Sequence, residues 1–259
     1  TPWGLPMHFD PNELHGRAML TLGLSDLRTN EIISRILRPG DIAVDIGANI
    51  GIMASLMARR VGQTGAVYAF EPHPDTRQRL LMNVASWTAS SLPTAPVTVV
   101  PLAVSERAGI AKLVEPTHFS SNSGLAKLGK ADCGGGSHFD VSTVNFDDWS
   151  DGLDEIRLIK IDVEGHEDAV LKGMKSSLRG RKIDALIFEE MRPIPSPATE
   201  ILRAYGYRCY MIDRSFWGPL LRRTRETPTP LKGEATNILA MRNGKRTDEM
   251  RQLGWSCLK

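Results

Sequence analysis

Two short stretches, far apart in the chain, leave few folds open. The first is Asp41-Ile42-Ala43-Val44-Asp45-Ile46-Gly47-Ala48-Asn49-Ile50-Gly51. An apolar run of strand type ends at Asp45, two glycines punctuate a turn, and Ile52, Met53, Leu56 and Met57 then recur at helical spacing. The pattern reads as strand, tight turn, helix. Gly47 and Gly51 let the backbone turn sharply and let a ligand approach, while the helix start offers free N–H groups. A second strand, Gly65 to Phe70, leads to Glu71, twenty residues past Gly51. A doubly wound nucleotide-binding unit places there the carboxylate that holds ribose hydroxyls.

The spelling of the turn selects the ligand. A dinucleotide fingerprint is G-x-G-x-x-G, whereas this chain has D-x-G-x-N-x-G, with an acid and an amide in the loop. A carboxylate facing the ligand repels a pyrophosphate and attracts an ammonium or sulfonium. S-adenosylmethionine fits that charge better than NAD does.

The second stretch is Ile156-Arg157-Leu158-Ile159-Lys160-Ile161-Asp162-Val163-Glu164-Gly165-His166-Glu167. It reads as a strand whose acidic tip precedes a helix carrying Ala169, Val170, Leu171, Met174 and Leu178. If it lies beside the first strand, Asp45 and Asp162 share the crevice where strand order reverses, which is where ligands bind in such sheets. Asp162, Glu164 and His166 then form a candidate acid and base set. Glu167 and Asp168 complement the helix start.

The other segments fit around these two. A helix with Leu27, Ile32, Ile33, Ile36 and Leu37 is stopped by Pro39-Gly40, and another follows Pro72 and Pro74 with Leu80, Leu81, Val84 and Trp87 on one face. Residues 97–104 form a third strand and its exit, so Ala103 and Val104 are expected beside the adenine. Residues 109–146 break the alternation with two short strands and a Ser, Asn and Gly loop, in which Asn122 and Ser123 are candidate donors to a ligand. Ile183 to Phe188 is a fifth strand ending in Glu189-Glu190. Ser196-Pro197 opens a helix stopped by Gly206, and strands follow at 207–212 and 236–241. Between them, residues 213–234 hold Phe216, Trp217 and the basic run Arg222, Arg223 and Arg225, either a solvated, mobile hairpin, the more usual case, or a candidate acceptor wall at the top of the sheet. Residues 1–25 either cross a pocket mouth or cover a sheet edge, and the polar tail from Arg242 is expected to be peripheral.

Bulk properties exclude several classes. A length of 259 residues with 41% apolar content suits one large α/β domain. The net charge of +2, from 32 basic and 30 acidic residues, argues against a nucleic-acid binder or a polybasic membrane anchor. No apolar run approaches the roughly 18 residues of a spanning helix, and a cytoplasmic protein without an integral membrane segment is expected. Cys133, Cys209 and Cys257 lack C-x-x-C spacing and read as free thiols. Cys133 and His138 flank three glycines, but two candidate ligands fall short of a four-ligand site, so no metal is expected.

The pairing of Asp-Ile-Gly-Ala-Asn-Ile-Gly (45–51) and Phe-Glu-Pro (70–72) with Ile-Lys-Ile-Asp-Val-Glu-Gly-His-Glu (159–167) resembles the FkbM-like methyltransferases. The resemblance covers roughly residues 40–190, with a similar ending to about 241. It implies a Rossmann-like doubly wound α/β sheet of seven strands, mostly parallel with an antiparallel last strand and helices on both faces. Residues 1–40 would be an N-terminal helical or cap segment, 41–241 the catalytic domain with inserts at 109–146 and 213–234, and 242–259 a tail. It also implies S-adenosylmethionine as cofactor and Asp45, Gly47, Asn49, Gly51, Glu71 and Asp162 as cofactor-side residues. The acceptor would be a small molecule bearing a hydroxyl, on a sugar, lipid or polyketide. An alcohol needs a base during attack. Glu164, His166 and Glu189 are the candidates, Lys160 could orient a carboxylate, and Asp162 binds cofactor or positions acceptor. The sequence leaves the oligomeric state open, with a homo-oligomer compatible. A nicotinamide-dependent oxidoreductase and a non-catalytic methyltransferase-like binding module remain as alternatives.

Overall fold

The computed structural model describes residues 1–115, 127–128, 137–215, 218–224, 235–242 and 254–258. Asn122, Ser123, Cys133, Phe216, Trp217 and Arg225 fall outside them. In chain order the elements are α1 (Leu14–Leu22), α2 (Leu27–Ile36), β1 (Ile42–Ile46), α3 (Ile52–Val61), β2 (Ala66–Phe70), α4 (Pro74–Thr88) and β3 (Val97–Val100). Then come β4 (Ala103–Ser105), β5 (Gly109–Val114), β6 (Lys127–Leu128), β7 (His138–Asn145), α5 (Phe146–Trp149), β8 (Ile156–Ile161), α6 (Glu167–Lys172) and α7 (Lys175–Arg179). Last are β9 (Ile183–Glu190), α8 (Pro197–Ala204), β10 (Arg208–Ser215), β11 (Gly218–Arg223), β12 (Thr236–Met241) and a 3-10 turn, Ser256–Leu258.

The main sheet runs β11-β10-β12-β9-β8-β1-β2-β3. Strands β3, β2, β1, β8 and β9 are mutually parallel, and β12 enters antiparallel to β9 and β10. The strand order reverses at β1, as the doubly wound reading requires. Alternate side chains along each strand go to opposite faces. Ala43, Leu158 and Ile187 join Ile32, Ile33, Leu56, Leu80 and Trp87 in one core, while Val44, Ile159 and Phe188 join Phe146, Val170, Leu178 and Leu202 in the other.

Four details differ from the sequence reading. The main sheet has eight strands rather than seven, because part of the 213–234 insert folds back as β11 and pairs antiparallel with β10. That hairpin, one of the two readings of the insert, carries Arg222 and Arg223 down beside Met211 and Tyr210, away from the upper edge that an acceptor wall would need. The stretch 97–104 is not one strand. It breaks after Val100 at Pro101, which has no N–H for the ladder, and β4 crosses into a second sheet of order β4-β7-β5-β6. The helix expected over 169–178 is split around Gly173, where a Cβ would lie 2.3 Å from the Ser105 carbonyl oxygen, so the break packs directly against the end of β4.

The fourth difference is the tail. Residues 254–258 dock on α2: the Ser256 hydroxyl and the Cys257 backbone N–H donate to the fully buried Glu31 carboxylate, and Arg35 pairs with Glu31 at 2.6 Å. Arg35 also donates to the Gly254 carbonyl. Cys209 and Cys257 are buried free thiols. No helix among the described residues is long and apolar enough to cross a membrane.

Candidate active site

Strand register assembles the site. Asp45 is opposite Lys160 and Ile46 opposite Ile161, while Ile161 is opposite Phe188 on the far side. The residues that follow, Gly47, Asp162 and Glu189, therefore emerge together at the carboxyl edge. Gly47 has φ +80°, and a Cβ there would sit 1.9 Å from the Asp162 carbonyl oxygen, so the β1 and β8 exits meet in contact only glycine permits. Gly51 (φ +95°) packs on α4, where a Cβ would lie 2.5 Å from Leu80 and 2.7 Å from Trp87.

Glu71 organises the first cleft. Its carboxylate accepts the Asn49 N–H at 2.9 Å and the His73 N–H at 2.8 Å, leaving lone pairs for further donors. Burial pushes its pKa up to about 7, against those two bonds. Asn49 sits in the left-handed region at φ 52° and accepts the Ile50 N–H through its own side chain. Gly47, Asn49, Glu71, Ala103, Val104 and Asp162 all line this cleft. Phe70, Leu102, Leu113 and Leu128 give it apolar walls. Gly51 stands behind the turn and lines neither this cleft nor its neighbour.

A second cavity shares Gly47, Asn49 and Asp162 with the first and adds Ser25, Ile52, Met53, Lys160, Glu164 and Glu189. The Lys160 ammonium lies 3.0 Å from Asp162 and 3.6 Å from Asp45. Burial alone would lower its pKa, but the two carboxylates outweigh burial and hold it protonated. Asp45 is fully buried, neither of its oxygens has a hydrogen-bond partner among the described residues, and burial raises its pKa. Glu164 is in the left-handed conformation at φ 50°, a strained state found often at functional sites. Glu189 has a pKa pushed up to about 7 by burial and then by repulsion from Asp162, Glu164 and Glu167.

Carboxylate oxygens of Asp162, Glu164 and Glu189 lie within 4.8 Å of one another, a spacing that a divalent cation could use. Lys160 already brings one positive charge to the group. His166 is placed apart from these three. It occupies the N-cap position of α6, pairs with the Ser105 hydroxyl at 2.9 Å, and lines neither cavity, and burial lowers its pKa.

Ser25, Met53, Leu113, Leu128 and His73 were not expected at the site. Only His73 left a local trace, preceding Pro74 as the N-cap whose ring nitrogen accepts the Thr76 N–H. The others come from segments that only the tertiary fold brings in.

The residues present suit a sulfonium nucleoside. Glu71 can accept ribose hydroxyls, the apolar walls suit a purine, and Asp162 offers anionic charge where a cationic amino acid end would lie, whereas Asp45, expected on the cofactor side, is buried beside Lys160 and lines neither cavity. A sheet of this order, with acidic strand tips around a glycine turn, defines an S-adenosylmethionine-dependent methyltransferase. A sequence profile of the FkbM methyltransferase domain matches residues 45–209, and the chain belongs to that family. Its cofactor is S-adenosylmethionine, which sets the nicotinamide alternative aside.

Among curated proteins, the hexuronic acid methyltransferase AglP of Haloferax volcanii is 32% identical over 164 residues, 60% of this chain and 61% of AglP. The chain thus matches under two thirds of that relative's length. Similar solved structures include Aeropyrum pernix fibrillarin with bound S-adenosylmethionine, at 13% identity and TM-score 0.44 over 82% of this chain and 73% of that one. An S-adenosylmethionine-dependent O-methyltransferase from Thermotoga maritima aligns at 14% identity and TM-score 0.42, over 86% and 69%.

Proposed function

We propose that the protein methylates a hydroxyl of a sugar-like small molecule, with residues 41–241 as the catalytic unit. One observation carries the reading: Asp162, Glu164 and Glu189 converge in a cavity that shares a wall with the cofactor cleft. Carboxylates at several angles suit an acceptor rich in hydroxyl donors, and the relative named for hexuronic acid favours a sugar over a polyketide.

In this reading Gly47, Asn49, Glu71, Ala103, Val104 and Asp162 hold the cofactor, and Gly51 shapes the turn. Asp45 and Lys160 lie beneath them as a charged floor. When bound, S-adenosylmethionine supplies a methyl group already activated on a positively charged sulfur. The chain has two remaining tasks. It must hold the acceptor oxygen about 3 Å from the methyl carbon, and it must remove the hydroxyl proton. Glu189 takes that proton, because it faces the cavity and its pKa of about 7 matches neutral pH. Glu164 orients the acceptor through a second hydroxyl. Lys160 pairs with Asp162 at 3.0 Å and fixes its carboxylate in place. His166, tied to Ser105, supports the second sheet rather than the acceptor.

The test is transfer of radiolabelled methyl from S-adenosylmethionine to methyl glycosides of neutral hexoses, hexosamines and hexuronic acids. A base-stable methyl ether is the expected product. A base-labile ester would mean attack by a carboxylate and overturn the hydroxyl reading. Label in no acceptor would favour the non-catalytic binding module.

A further inference from the structure

The N-terminal segment, residues 1–13, runs over the outside of the cofactor turn, and one side chain joins the two. Asn83, on α4, is fully buried. Its carbonyl oxygen accepts the His8 backbone N–H at 2.6 Å, and its amide donates to the His8 carbonyl at 3.0 Å and to the Ile50 carbonyl at 2.9 Å. Both amide hydrogens and the oxygen are thus used. Two of the bonds grip the N-terminal segment, and the third grips the turn between Asn49 and Gly51.

Packing follows the same route. Ile50 and Ile52, on either side of Gly51, are buried with Met19 against Trp3, Met7 and Phe9. Trp87, which a Cβ on Gly51 would strike, donates its indole N–H to the Pro6 carbonyl at 2.8 Å. Trp3 donates to the Ser55 hydroxyl at 3.0 Å on α3. On its inner side the same turn is fixed by the Glu71 bond to the Asn49 N–H. The turn is therefore held between Glu71, which faces the cofactor cleft, and Asn83, which faces the N-terminal segment.

We propose that Asn83 is a positioning residue that makes docking of the N-terminal segment and binding of S-adenosylmethionine a single linked equilibrium. Asn83 touches no cofactor and acts through the Ile50 carbonyl. A docked segment holds the turn in the shape that aims the Asn49 N–H at Glu71, so the cofactor meets a preorganised site. Coupling of this kind is reciprocal: whatever the docked segment adds to cofactor affinity, the cofactor returns to docking. The inference rests on the cofactor assignment above but not on the acceptor.

Hydrogen exchange on the unmodified protein, with and without S-adenosylhomocysteine, tests it without any substitution. Amides of residues 3–13, His8 above all, are expected to exchange on the order of tenfold more slowly with the nucleoside bound. Unchanged exchange there, with slowing at residues 47–51, would overturn the coupling while leaving the cofactor site intact. Failure of the protein to bind S-adenosylhomocysteine would instead sink the cofactor assignment itself. Calorimetry gives the second arm. Asn83→Ala and Trp3→Ala are each expected to weaken S-adenosylhomocysteine, Asn83→Ala roughly tenfold, and in the double variant the two losses should not multiply. Fully multiplicative losses would mean that segment and turn act independently, and would overturn the proposal. Asn83→Asp retains the acceptor for the His8 N–H but loses the donors to both the His8 and the Ile50 carbonyls, and should bind as weakly as Asn83→Ala.

Discussion

Glu189 and Glu71 have pKa values pushed up to the same region for different tasks, and titration separates them. If Glu189 takes the acceptor proton it must be ionised, so kcat should rise with pH through about 7 and level off above. Glu189→Gln should lose on the order of 10²–10⁴-fold in kcat and lose that pH dependence, with cofactor affinity unchanged. On the proposed function, Glu71 acts on binding. Its ionised form accepts ribose hydroxyls better, so S-adenosylhomocysteine affinity should rise through about pH 7, and Glu71→Gln should bind more weakly with a flat profile. Calorimetry across pH 5.5–8.5 on the order of half-unit steps would show either trend. Gly47, Asn49 and Glu71, which line the first cleft, stand out in the sequence because the stretch Asp45 to Gly51 is continuous and Glu71 follows the very next strand, but the sequence did not show that Asp45 and Gly51 lie behind the cleft. The acceptor residues were half legible. Asp162, Glu164 and Glu189 mark strand ends, but His166 stands beside them in sequence and turns to Ser105 in space, since a residue at a helix N-cap points with the helix and not with the strand before it.

Connections between elements explain what strand and helix patterns did not show. Apolar periodicity located β1, β2, β8, β9 and β12, yet it could not tell that Pro101 ends one strand and starts a crossing into another sheet. It also could not see that the helix breaks at Gly173, where it packs on β4. Gly173→Ala should therefore cost about 1–3 kcal/mol, by pushing α6 off β4, and lower the urea midpoint. At the end of β9, Arg192 bonds Asp168 at 2.6 and 2.9 Å and the buried Glu190 at 2.8 and 2.9 Å. This clamp ties the strand that carries Glu189 to the first turn of α6. Arg192→Ala strips Glu190 of its cation and should destabilise by about 1–3 kcal/mol in chemical denaturation.

At the scale of the molecule, both ends of the described chain serve as struts for the sheet. The N-terminal segment braces α3, α4 and the cofactor turn, and residues 254–258 close over α2 by way of Glu31. Neither contact was legible. Each joins segments hundreds of residues apart or lacking any periodic pattern, and the polar tail gave no sign that a buried carboxylate waited for it. Glu31→Ala removes the carboxylate that pairs with the buried Arg35 and should cost about 3–5 kcal/mol, read as a lower thermal midpoint. The partition of the cleft has a practical meaning for anyone who would redirect the enzyme. Gly47, Asn49 and Asp162 are a party wall, so enlarging the acceptor room from that side also demolishes the donor's. On the proposed function, new acceptors are better accommodated by remodelling at Ser25, which lines the second cavity and not the first.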